Sequence, residues 1–206
     1  MHSSVHVSAT VVDHAYGRHL ANATRVVTAM LDDALLRTAV RNAANAYISC
    51  LKAGGKLMFA GNGGSAADSQ HMAAEFVSRF NYDRPGLPAV ALTTDSSIVT
   101  AIGNDYGFTE LFARQLQAVG KEGDVFVAYS TSGTSPNIIR GLTEARQRQI
   151  TCVGFTGNRG GPMRALCDVL IEAPSEITAH IQEAHLVLGH LICGVVEHHI
   201  FPAGTS

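Results

Sequence analysis

Five short apolar runs, "KLMFAG", "AVALTT", "DVFVAYS", "TCVGFTG" and "DVLIEAP", recur between residues 56 and 174 with helical stretches between them. They are rich in β-forming residues and nearly continuous, so strands built from them would bury both faces. Strands of that kind alternating with helices fit a parallel sheet covered by helices on both sides. Ahead of them, apolar residues recur at helical spacing from about Arg18 to Lys52, as in "VVTAMLDDALLRTAV" and "AANAYISCL", and Gly54-Gly55 ends the run. One or two long helices are expected there, and another from about Glu176 to His199. No repeat, low-complexity tract or linker divides the chain, so residues 1–206 are read as one domain with helices over about 18–53.

Composition narrows the function classes. A formal charge of −2 argues against a nucleic-acid binder working through a basic face. The opening "MHSSVHVSATVVDHAYGRHL" lacks a basic segment followed by an apolar block, and no uninterrupted apolar run approaches membrane-spanning length. The expectation is a cytoplasmic protein with no membrane partner. Cys50, Cys152, Cys167 and Cys193 are scattered without a CxxC pair, as suits small core residues in a reducing compartment. Of the ten histidines, four precede residue 20, where a mobile end of a dozen or so residues is expected. A second group crowds between His180 and His199.

In parallel sheets of this kind, ligands sit beyond the carboxyl ends of the strands, so the residues just after each strand carry the information. After the first comes "GNGGSAADSQH", residues 61–71. Glycines permit a tight turn and a close approach of backbone to ligand, and a helix opening at Ser65 would aim free N–H groups outward. After the third comes "STSGTSPN", residues 130–137, which offers Ser130, Thr131, Ser132, Thr134 and Ser135 within six positions. Ser135 suits an N-cap with Pro136 at the first helical position, but five hydroxyls exceed what a cap requires. Neutral donors at a helix start suit a phosphate monoester. Neither loop has the order of a Walker A or dinucleotide motif, so a compact phosphorylated metabolite is favoured. After the second strand, "AIGNDYGF" places Asn104 and Asp105 in a turn, where both are ordinary turn formers.

Two helices offer metal-type donors. His71 and Glu75 are four residues apart and project from one face. The final helix reads "IQEAHLVLGH" and carries Gln182, Glu183, His185 and His190 among apolar residues. Polar groups on such a helix are costly to bury without partners, and the two helices could meet around one divalent ion. Spacing does not choose between Gln182 and Glu183, or between His190 and His185.

With "AGNGGSAADSQHMAAEF", "RPGLPAVALTTD", "AIGNDYGF", "EGDVFVAYSTSG", "GFTGNRGG" and "IQEAHLVLGH" in order over nearly the whole chain, the sequence resembles the phosphoheptose (sedoheptulose 7-phosphate) isomerases of the SIS (sugar isomerase) fold. The resemblance implies a doubly wound, flavodoxin-like, five-stranded parallel sheet with an N-terminal helical extension. It implies Glu75 as catalytic base and His190 as acid, and zinc, one per subunit, held by His71, Glu75, Gln182 and His190. It assigns the sugar to Asn62, Gly63, Gly64, Glu75, Asn104, Asp105 and Gln182, and the phosphate to Ser130, Thr131, Ser132 and Ser135. It further implies a homotetramer with active sites at subunit interfaces. Ahead of "IQE" the family pattern carries Lys or Arg, whereas this chain has His180. The implied reaction turns sedoheptulose 7-phosphate into D-glycero-D-manno-heptose 7-phosphate through an enediolate. The alternatives are a non-catalytic SIS partner protein of the type that binds a replication initiator, and an isomerase of another sugar phosphate.

Overall fold

The computed structural model describes residues 7–202. Two long helices come first, α1 (Ala9–Leu31) and α2 (Ala34–Lys52). There follow β1 (Leu57–Ala60), α3 (Gly64–Val77), β2 (Ala89–Ala91), α4 (Ser96–Asp105), α5 (Leu111–Val119), β3 (Val125–Tyr129), α6 (Pro136–Gln147), β4 (Thr151–Gly157), β5 (Val169–Ala173) and α7 (Thr178–Ile200). The five strands pair in parallel in the order β2-β1-β3-β4-β5, with Leu57 opposite Ala89 on one side and Val125 on the other. This is the doubly wound, flavodoxin-like arrangement, in which the chain reverses its direction of travel between β1 and β3.

The strands alternate their side chains between two cores, as a period of two requires. Leu57, Phe59, Val125, Val127, Tyr129, Val153 and Phe155 face α2, α3 and α7. Met58, Ala60, Phe126, Ala128 and Cys152 face α5 and α6, where Phe112, Leu116, Ile138 and Leu142 meet them. The interior strands β1 and β3 are buried throughout, which is why their runs read as continuous apolar sequence. β2 is a three-residue edge strand and is only partly covered. Cys50, Cys152 and Cys193 are buried and Cys167 is partly so, all as free thiols. Burial pushes the thiols of Cys152 and Cys167 up to about 12 and that of Cys50 to about 11, which keeps them as protonated core groups.

Several boundaries differ from the sequence reading. The first helix starts at Ala9 rather than near Arg18, so His14 and His19 are helical; His2 and His6 lie outside the described residues. Asn104 and Asp105 are the last residues of α4 rather than turn residues, because the Asp95 side chain accepts the Ile98 N–H and starts a helix that runs through them. α7 is long and apolar enough to cross a bilayer by length and composition, with mean hydropathy 1.2 over its most apolar window. Half of that window is buried inside the fold, as befits a core helix packed on α2 and α3.

One buried ion pair fastens α7 to the segment that follows α3. Arg84 and Glu197 have side chains 2% and 1% exposed, and Arg84 Nε lies 3.1 Å from Glu197 Oε1. The carboxylate also accepts the Phe80 and Asn81 N–H groups at 2.9 and 2.7 Å. The guanidinium donates in turn to the carbonyls of Phe76 and Glu75 at 2.6 and 2.7 Å, satisfying carbonyls that the C-terminus of α3 leaves unpaired. Burial alone would raise the Glu197 pKa, but the two backbone N–H groups and Arg84 hold it below the ordinary carboxylate value. Its contribution to stability is therefore present above the unfolded-state value of about 4.3 and is lost as pH falls through the lower folded value. Arg84→Met strands the carboxylate and should cost about 3–5 kcal/mol in urea unfolding at fixed chain concentration. The deficit should shrink on acidification, and a loss under about 1 kcal/mol at neutral pH would refute the role given to the pair.

Candidate active site

α3 leaves the end of β1 with Gly63 at its N-cap position and Gly64 as its first residue, one residue ahead of the expected Ser65. α7 crosses it closely. A Cβ on Gly64 would stand 2.7 Å from both amide heteroatoms of Gln182, and one on Gly189 would stand 2.6 Å from Met72 Sδ. Both glycines therefore leave room for these side chains, which a larger residue would displace. Around the second of these points the helices bring polar side chains together.

Glu75 and His190 meet through His71. His71 Nε2 donates to Glu75 Oε1 at 2.9 Å, and His190 Nε2 lies 3.3 Å from the same His71 nitrogen. The two imidazoles stand edge to face, with centroids 5.0 Å apart, and Phe80 packs 5.4 Å from the His190 ring. Glu75 and His71 side chains are 23% and 44% exposed, so the group opens to solvent. One donor atom from each of His71, Glu75 and His190 falls within 4.8 Å of the others. A single imidazole N–H cannot serve two acceptors placed this way, and a nitrogen that donates has no lone pair left for its neighbour. A cation facing all three resolves that conflict, so the donor set fits a divalent metal. Gln182 lies against Gly64, two turns of α3 before His71, and bonds none of the three among the described residues.

The alternatives left open by spacing separate clearly. His185 is buried on the sheet side, where its Nε2–H donates to the Thr156 carbonyl at 3.1 Å. Burial lowers its pKa to about 4, so it stays neutral. Glu183 turns away to His180 at 2.9 Å.

The two loops expected to hold substrate lie side by side at the β1–β3 reversal. Asn62 and Asn137 exchange amide hydrogen bonds, at 2.9 Å from Asn62 Nδ2 and 2.8 Å from Asn137 Nδ2. That leaves Asn62 one N–H and one lone pair for a ligand. Ser130 and Ser135 hydroxyls pair at 2.9 Å, and those of Ser132 and Thr134 at 2.8 Å. Ser135 occupies the N-cap position before Pro136, but its hydroxyl bonds Ser130 instead of capping the helix. Thr131 contributes its carbonyl to the Gly157 N–H. Asn104 and Asp105 stand apart from this assembly: exposed at the end of α4, they bond to each other at 2.8 Å and to none of the other candidates among the described residues.

Three residues of this neighbourhood had no role assigned from sequence. Arg84 and Asn137 fell within quoted motifs, but their partners lie 113 and 75 positions away. Asp68, on α3 one turn before His71, has a buried carboxylate oxygen without a partner among the described residues. Its desolvation raises its pKa, opposed by His71.

A doubly wound sheet with hydroxyl-rich and glycine-rich loops at its reversal point is the architecture of a SIS domain, and residues 18–157 match the SIS domain profile. The chain is 64% identical over 182 residues to a phosphoheptose isomerase of Burkholderia pseudomallei, spanning 88% of this chain and 92% of that protein. Phosphoheptose isomerases of Neisseria gonorrhoeae and Francisella tularensis superpose with a TM-score of 0.85 each. Their identities are 40% and 33%, over 90% and 93% of this chain and 98% and 100% of theirs. The chain belongs to the phosphoheptose isomerase family of SIS-domain proteins.

Proposed function

We propose that this enzyme interconverts sedoheptulose 7-phosphate and D-glycero-D-manno-heptose 7-phosphate, the first step towards nucleotide-activated heptose for lipopolysaccharide or capsule. The observation that carries the reading is the meeting of Glu75 and His190 across two helices, in a chain so similar to named phosphoheptose isomerases. A binding-only SIS protein needs no carboxylate held against two imidazoles.

The isomerisation moves one proton between C1 and C2 of an open-chain sugar. Glu75 keeps Oε2 for that proton while Oε1 is oriented by the His71 N–H. A positioned carboxylate of this kind takes the C1 proton and returns it to C2 through an enediolate. Charge then develops on O1 and O2, next to His190 Nε2, which donates a proton to it. A divalent ion, here zinc at one per subunit, would be held by His71, Glu75, Gln182 and His190 and would supply Lewis acidity to the same oxygens. Ser130, Thr131, Ser132 and Ser135 would turn their hydroxyls to the distant phosphate, with Asn62, Gly63, Gly64 and Gln182 on the sugar, fixing the reacting carbons near Glu75; Asn104 and Asp105, apart from these loops on one chain, would serve the sugar in a neighbouring subunit's site. The phosphorylated substrate puts the reaction in the cytoplasm.

A homotetramer is supported by apolar side chains on the surface of this chain. Val187, Leu191 and Val195 of α7 are 45%, 51% and 44% exposed along one stripe beside His190, and Val11, Val12, Tyr16 and Leu20 of α1 are exposed as well. Faces of that kind mark interaction surfaces, and here the stripe would bring a neighbouring subunit to the site.

Glu75→Gln should lower turnover of sedoheptulose 7-phosphate by at least about a hundredfold while sugar-phosphate binding survives; near-normal formation of aldoheptose phosphate by NMR would defeat the base assignment. Dialysis against a chelator should remove activity that zinc restores, and full activity in a verified metal-free sample would reduce the cluster to polar contacts. Native mass spectrometry should give four chains, and Leu191→Glu should yield smaller species; a monomeric wild-type protein would rule out the shared site.

A further inference from the structure

A second set of metal-type donors lies on the other face of the α7 N-terminal turns. His19 comes from α1, and His180 and Glu183 from α7. His19 Nε2 is 3.2 Å from Glu183 Oε1, and His180 Nδ1 is 2.9 Å from Glu183 Oε2. The two imidazole centroids are 4.9 Å apart, and one donor atom from each residue lies within 4.8 Å of the others. An ion bound tetrahedrally at about 2.0–2.2 Å separates its ligands by roughly 3.3–3.6 Å, which donors already within 4.8 Å of one another would reach by small side-chain rotations.

Burial is graded as a metal site needs. His180 is 4% exposed, whereas the His19 and Glu183 side chains are 53% and 42% exposed. The ion would be anchored from inside the fold and reached from outside, with water completing its coordination. The helix supplies the geometry: residues 180 and 183 share a face three apart, while Gln182 between them points to Gly64.

The location gives the site a purpose. Val26 is the one buried residue among the described residues of α1, so apolar packing holds the 23-residue helix weakly on its own chain. We propose that His19, His180 and Glu183 form a second divalent-metal site, with a donor set suited to zinc, whose ion fastens α1 to α7. Bonds to a common ion would replace the hydrogen bonds now made by the Glu183 carboxylate, and binding would couple the order of α1 to metal supply. The inference stands on these three side chains and does not require the active-site metal.

The test is a titration of metal-free full-length protein with cobalt(II), followed by visible absorption, elemental analysis of dialysed samples and amide exchange. Wild-type protein should take up two equivalents per chain, and a His71→Asn/His190→Asn double variant should retain one. Adding His19→Asn to that double variant should weaken the remaining equivalent at least tenfold. Cobalt should slow amide exchange over residues 9–31 in wild-type protein and leave it unchanged in His19→Asn. His19 is exposed, so its substitution does not threaten folding as a change at buried His180 would. If only the active-site reading fails, wild-type protein binds a single equivalent that His19→Asn removes. Unchanged stoichiometry and affinity in His19→Asn, or no effect of cobalt on α1 exchange, overturns the proposal.

Discussion

The buried Arg84–Glu197 pair decides how α3 meets α7, and the rest of the site follows from that crossing. Arg84 holds the carbonyls of Glu75 and Phe76 at the end of one helix, and Glu197 holds the chain that leaves it. The opposite end of the crossing is set by contact between Gly64 and Gln182, and its middle by Met72 against Gly189. The buried pair at one end and close side-chain contacts along the crossing place the turn carrying His71 and Glu75 against α7. A carboxylate beside an imidazole from another helix is useful only if neither drifts, because small displacements from a reactive geometry are costly in rate.

The sheet gives this crossing its place. Reversal of winding between β1 and β3 opens a crevice at the carboxyl ends of the strands, and the two polar loops run into it. The Asn62–Asn137 amide pair ties the hydroxyl-rich loop to the turn that starts α3.

The sheet was legible in the chain because interior parallel strands are apolar on both faces, and "DVFVAYS" and "TCVGFTG" leave no other economical reading. Edges were less clear: Asn104 and Asp105 looked like turn formers, but a capping bond from Asp95 extends α4 through them. At the site, the i,i+4 spacing of His71 and Glu75 was visible, since it depends on one helix. Spacing did not choose His190 over His185, and only the family resemblance did, because the choice turns on which side of α7 faces α3 and which faces β4. Arg84 escaped notice for a related reason. Its carboxylate partner lies far along the chain, and a lone arginine in "YDRPG" gives no local sign of burial.

The short edge at β2 has a further consequence. Its three residues follow Pro88, which has no N–H to offer, so this margin presents few free backbone groups to another chain. At the other margin Glu172 places a charge on β5, paired with Arg164. Edge-to-edge templating of strands is therefore disfavoured at the short β2 margin. A protein that exposes so much apolar helix can keep self-recognition selective because its backbone offers so little to bind indiscriminately.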